Sequence, residues 1–274
     1  GVPLPILLAL LSVPTLCDLR ISGYLYNRQS HTLLEGEHEP LKLPPLMSLV
    51  YTVHILRHQP CTFKSEAALL KRIVPRLNST LHTLEIPVEN APLQEMHDCT
   101  WSHLRHFTLY GILPPTHATH VPLIAVLARM PRLRYLHLRF SRRPSDIPQA
   151  IWPIDYDATV EWPELEELLA THPVPEDQLW SHIPPILRSI SFPSCPSPWE
   201  VKEASREDWL QKRNELVLDV TPLRIAAALQ VLQKLDLPLL KSLSIAYEVD
   251  ANEGQLLDYL VQTFRHLDTV GLHR

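Results

Sequence analysis

Along this chain the apolar residues recur in one short phrase: proline, any residue, leucine, two residues, leucine, one residue, then leucine or isoleucine. Pro14-Thr15-Leu16-Cys17-Asp18-Leu19-Arg20-Ile21, Pro131-Arg132-Leu133-Arg134-Tyr135-Leu136-His137-Leu138 and Pro238-Leu239-Leu240-Lys241-Ser242-Leu243-Ser244-Ile245 carry it in full. Looser copies place the first leucine at Leu46, Leu81, Leu104, Leu165, Leu187 and Leu267, with Leu84 and Ile86, Phe107 and Leu109, Ile190 and Phe192, and Val270 and Leu272 in the later positions. With that leucine as position one, positions four and six point inward while three, five and seven point outward, the two-residue period of an extended strand. Nine irregularly spaced copies predict a repeat architecture.

Between these phrases the apolar period lengthens toward that of an amphipathic helix. It does so over Glu66–Val74, Val121–Ala128, Leu223–Leu232 and Gln255–Gln262, each enough for two to three turns. A proline ahead of several anchors ends the helix and favours extension in the residue before it. One helix-strand unit cannot cover its own apolar face, so neighbouring units supply the core to one another. Nine parallel strands about 4.8 Å apart would form a sheet roughly 40 Å long. The fold expected is therefore α/β, with parallel strands on a concave face and helices on the convex face, in one domain over residues 1–274.

Two stretches interrupt the pattern. Arg139 to Glu161 is polar and rich in proline. An irregular insertion around 193–222 opens with Ser194-Cys195-Pro196-Ser197-Pro198 and continues into a charged helix from about Trp199 to Glu215. Either a degenerate repeat passes through Leu216-Val217-Leu218 there, or the chain makes an excursion.

Composition narrows the function classes. The chain has 274 residues, a net charge of -5 and a pI near 6.3, which gives no general attraction to phosphate backbones or anionic lipid. Neither nucleic acid nor membrane is expected as a partner. With 27 prolines and only 6 glycines, the chain is poor in the residue that phosphate-cradling loops require. Cys17, Cys61, Cys99 and Cys195 form no C-x-x-C pair, and buried free thiols in the cytoplasm or nucleus are expected. The sequon Asn78-Ser79-Thr80 would matter only after secretion. Val2 to Cys17 imitates a signal-peptide core but lacks a basic n-region, so it is read as the first repeat. The start at Gly1 implies that a longer protein has lost its N-terminal part.

The three full phrases and their looser copies resemble the leucine-rich-repeat superfamily in its ribonuclease-inhibitor-like form, and the irregular, proline-punctuated style is similar to the repeat regions of fungal F-box proteins. The resemblance implies an irregular leucine-rich-repeat solenoid that recognises substrates in an F-box-type (SCF) ubiquitin ligase. The repeats would hold the target, and an upstream F-box, not recognisable after Leu4-Pro5, would engage a cullin-RING ligase adaptor. A non-catalytic scaffold or inhibitor unrelated to ubiquitination is the alternative, and a hydrolase with dispersed residues a third.

Candidate chemistry is sparse. His54/His58 and His117/His120 have helical spacing but lack the glutamate of H-E-x-x-H and any familiar ligand spacing. Asp155 and Asp157 sit in the polar insertion and read as a solvated loop. No G-x-S-x-G, G-x-x-x-x-G-K-[ST] or G-x-G-x-x-G occurs, so no catalytic residue, cofactor or metal is assigned. Arg132, Arg134, Arg139, Arg142 and Arg143, with Tyr135 and Phe140, form the one basic run of note, and they read as a solvated face. The outward strand positions are the expected protein-binding residues on the concave face: Asp18, Arg20, Glu85, His106, Thr108, Tyr110, Tyr135, His137 and Arg139. The cluster of Tyr110, Tyr135, His137 and Arg139 is its centre, since tyrosine and arginine are favoured at interface hot spots.

Overall fold

Every one of the nine anchor leucines stands two residues before a strand in the computed structural model, which describes residues 2–23, 25–26, 42–53, 64–113, 121–195, 218–219 and 221–274. The chain opens with β1 (Val2–Pro3), α1 (Leu4–Leu11), β2 (Asp18–Ser22), β3 (Leu25–Tyr26), β4 (Ser48–Thr52) and α2 (Lys64–Ile73). It continues through β5 (Thr83–Pro87), α3 (Leu93–His97), β6 (His106–Ile112), α4 (Leu123–Leu127) and β7 (Tyr135–Ser141). The remainder comprises β8 (Glu167–Ala170), β9 (Ser189–Phe192), β10 (Leu223–Arg224), α5 (Ile225–Leu232), β11 (Ser242–Glu248), α6 (Glu253–Thr263) and β12 (Thr269–His273).

Nine of these strands form a parallel sheet in the order β2-β4-β5-β6-β7-β8-β9-β11-β12, while β1 pairs separately with β3. Position four is in register across the whole sheet, from Leu19 through Leu49, Leu84, Phe107, Leu136, Leu168, Ile190 and Leu243 to Val270. All of these are buried except Val270, which is 48% exposed on the last strand. Each interior leucine so buried contributes about 1.5–3 kcal/mol. A second ladder runs along position two, where one carbonyl accepts two N–H groups from the next repeat. The Arg105 oxygen accepts from Arg134 at 2.8 Å and Tyr135 at 2.9 Å, and the Arg134 oxygen accepts from Glu166 and Glu167, each at 2.9 Å. The same pairing begins at Cys17 with Met47 and Ser48 and ends at Lys241 with Asp268 and Thr269. The repeated phrase is thus a repeated backbone geometry.

The expected helices form over most of their predicted lengths, with two differences. Leu223 and Arg224 are extended beside Tyr247 and Glu248 of β11, so the helix there begins at Ile225. The short helix α3 sits where no amphipathic run was evident, because five residues are too few to show a period. Most of the buried apolar side chains form one cluster from Leu4 to Phe264. Within the polar insertion, Ile151 and Trp152 are buried. Their N–H groups donate to Asp177 at 2.6 and 3.0 Å, and the same carboxylate accepts the Leu179 N–H at 2.9 Å. Asp155 and Asp157 are exposed.

In the sheet β9 pairs directly with β11. Most of the 193–222 insertion lies outside the described residues, so both readings of it stay open. Near its end, the Asp219 N–H donates to the Arg142 carbonyl at 2.8 Å. The charged helix expected over Trp199 to Glu215 lies outside the described residues, as do Leu216 and Val217.

Candidate functional site

Because alternate side chains of a strand share a face, the outward positions assemble into polar rows across the sheet. Position three places Asp18, Ser48, Thr83, His106, Tyr135 and Glu167 on adjacent strands. Position five places Arg20, Val50, Glu85, Thr108, His137 and Leu169 beside them. The His106 and Tyr135 rings stack, with centroids 4.2 Å apart and planes 20° from parallel. One strand further, His137 Nε2 lies 2.7 Å from Glu167 Oε1. Burial raises the Glu85 pKa above its ordinary value, against the opposing pull of Arg139, His137 and Arg20. Burial and then His137 lower the His106 pKa, against Glu167. The central face therefore combines a neutral stacked imidazole, a phenol and mixed charges within a few strands.

Two predicted residues fall outside this cluster. Tyr110 is buried, 6% exposed, and does not belong to the accessible face. Its hydroxyl donates to the Tyr51 carbonyl at 2.6 Å and accepts the Val53 N–H at 2.9 Å. In register Tyr110 pairs with Pro87 of β5, a residue with no N–H to donate, and the tyrosine hydroxyl reaches across to the end of β4. Asp18 is exposed on β2, three strands from His106 and hence roughly 14 Å away. Arg20, also on β2, is nearer the centre electrically, since it acts on Glu85.

Glu167 was not among the residues singled out from sequence, although the Leu165 repeat puts it at the same outward position as Tyr135. Glu164 was also missed. It gathers Arg132 and Arg134 at 3.1 Å each and Arg105 at 3.7 Å. Hydrogen bonds from Arg132 and Arg134 hold its carboxyl below the usual range. Arg142 meets Asp219 at 2.6 Å. Much of the basic run is therefore neutralised by carboxylates from later in the chain, which weakens it as a phosphate-binding surface.

The thiols differ from expectation: Cys195 is buried, but Cys99 is half-buried and Cys17 is exposed at position two of its repeat. Asn78 donates from its side chain to the Thr100 carbonyl at 3.2 Å. His54/His58 and His117/His120 lie outside the described residues. Among the described residues, no group of three or more His, Cys, Asp or Glu is placed to hold a metal ion, and no helix is long and apolar enough to cross a membrane. The chain matches no known protein family, no curated protein and no solved structure.

Proposed function

We propose that this chain is an irregular leucine-rich-repeat solenoid that binds a protein on the polar face of its sheet. The observation that carries the reading is the sequence-ordered parallel ladder, whose third and fifth positions put His106, Tyr135, His137, Glu167 and Glu85 on adjacent strands. Curvature follows from spacing: strands stack about 4.8 Å apart, whereas a helix with its side chains is about 10 Å wide, so helices such as α2, α5 and α6 favour the convex side. Short connectors such as α3 and α4 reduce the difference and make the array irregular. A surface some 40 Å long suits a folded domain or a long peptide. Tyr135 and Arg139 are the residue types that dominate interface energetics.

The biological role follows from resemblance rather than from chemistry at the face: target recognition in an F-box-type ubiquitin ligase, in the cytoplasm or nucleus. The test is capture from a lysate of the source cells, with the His106→Ala/Tyr135→Ala/His137→Ala/Arg139→Ala variant beside the unaltered protein. Loss of at least one specific partner, with the far-UV spectrum unchanged, is the expected result. Retention of every partner would refute the assignment. Co-capture of a cullin-RING adaptor by the full-length protein supports the ligase role, and a partner set without one points to a scaffold or inhibitor.

A further inference from the structure

A cavity of about 520 Å³ lies beyond the C-terminal ends of β8 and β9, closed on its other side by the start of α5. That volume falls within the range of small-molecule sites. Pro148, Pro173, Pro175, Pro193 and Pro222 form much of its wall. Proline fixes φ and has no N–H, so these walls are preshaped and present few backbone donors needing a partner. Phe192, Val174 and Ala227 add apolar surface. An apolar ligand entering such a site displaces water without first having to order the wall.

Polar groups in the cavity are few and balanced. Arg142 on the wall is paired with Asp219 at 2.6 Å, while Arg224 and Glu176 contribute one charge of each sign. His172 is the one non-glycine residue with positive φ among the described residues, at 47°, a conformation that glycine would adopt without strain. Its Nε2 lies 3.1 Å from the Cys195 carbonyl oxygen. A carbonyl can only accept, so Nε2 carries the proton and Nδ1 presents a lone pair. Burial lowers the His172 pKa, which keeps the ring neutral near pH 7. Nδ1 has no hydrogen-bond partner among the described residues, and His172 is half-buried on the cavity wall. A residue held in a sparsely populated backbone conformation beside a cleft is a recognised pointer to a ligand site.

We propose that this cavity binds a neutral, ring-bearing apolar small molecule that donates one N–H or O–H hydrogen bond to His172 Nδ1. This site is independent of the polar sheet face. The test titrates the whole chain with N-phenyl-1-naphthylamine, a fluorescent diarylamine with a single N–H, and displaces it with 1-phenylnaphthalene, which has none. Saturable one-to-one binding is expected, abolished by Ala227→Trp, which fills the cavity. His172→Gly should weaken the amine about three- to tenfold, the worth of one net hydrogen bond, and leave the donorless hydrocarbon unaffected. Should Ala227→Trp fail to fold, the selective effect of His172→Gly decides alone, since glycine suits that backbone. Absence of saturable binding, or equal effects of His172→Gly on both compounds, would overturn the proposal.

Discussion

The two halves of the central strands differ in what their outward residues do. On positions three and five, His106, Tyr135 and His137 keep access to solvent and touch one another or Glu167. From position seven onward, the same alternation leads into a buried polar seam. Tyr110 bonds to the end of β4, Thr171 donates to the Phe140 carbonyl at 2.7 Å and accepts the Phe140 N–H at 2.7 Å, and Glu66 sits fully buried among at least three donors. Those donors are the Leu25 N–H at 3.0 Å, the Asn90 amide at 2.6 Å and the Tyr51 hydroxyl. One strand pattern therefore leaves an accessible polar face at its start and serves cohesion at its end. The boundary is set where the connecting segments close over the sheet. At Gly111 the φ of 110° disfavours any other residue, and a Cβ there would displace the Glu89 carboxylate, whose Oε2 would lie 2.3 Å away.

The sharpest way to break the comparison is to empty the seam. Glu66→Ala strands buried donors from three segments and is expected to cost about 3–5 kcal/mol, read from urea unfolding. Next comes a matched pair of tyrosines. Tyr110→Phe removes the hydroxyl that serves the Val53 N–H and the Tyr51 carbonyl and should cost about 1–2 kcal/mol. Tyr135→Phe, on the accessible half, should stay within about 0.5 kcal/mol. Equal costs for the two would erase the distinction between the halves.

The smallest effect concerns Glu85, whose folded pKa stands above its ordinary value of 4.5. A raised folded pKa means that the folded state holds the proton more tightly than the unfolded chain. Its contribution is fully present below the unfolded pKa and is lost as pH rises through the folded value. Glu85→Gln should remove that part of the pH dependence and leave stability near neutral pH within about 0.5 kcal/mol of the original. Unfolding midpoints measured across this range check it, and an unchanged pH profile in the variant would show that Glu85 is ordinarily solvated.

The strands were legible because an apolar residue at position four marks the buried face in eight copies and fails only on the last strand, where Val270 is exposed. The α2, α4, α5 and α6 helices were legible from their longer apolar period. Tyr110 was misplaced because alternation reports which side of the backbone a residue leaves from, not what later folds over that side. Glu167 carried a usable signal, its place in the Leu165 repeat. The cavity carried none: Pro148, His172 and the pair Pro193 and Pro222 come from three different connectors, and only the stacking of neighbouring strands brings them together. Similarly, the ion pair of Arg142 with Asp219 joins two stretches that no periodicity describes.

Everything rests on strands paired in sequence order, and amide hydrogen exchange reads that pairing residue by residue. In β6 and β7, each flanked on both sides, the amides of Phe107, Thr108, Leu109, Leu136, His137 and Leu138 should show uninterrupted protection. Alternating protection there, as in a strand with a single neighbour, would contradict the ladder and the polar face built upon it.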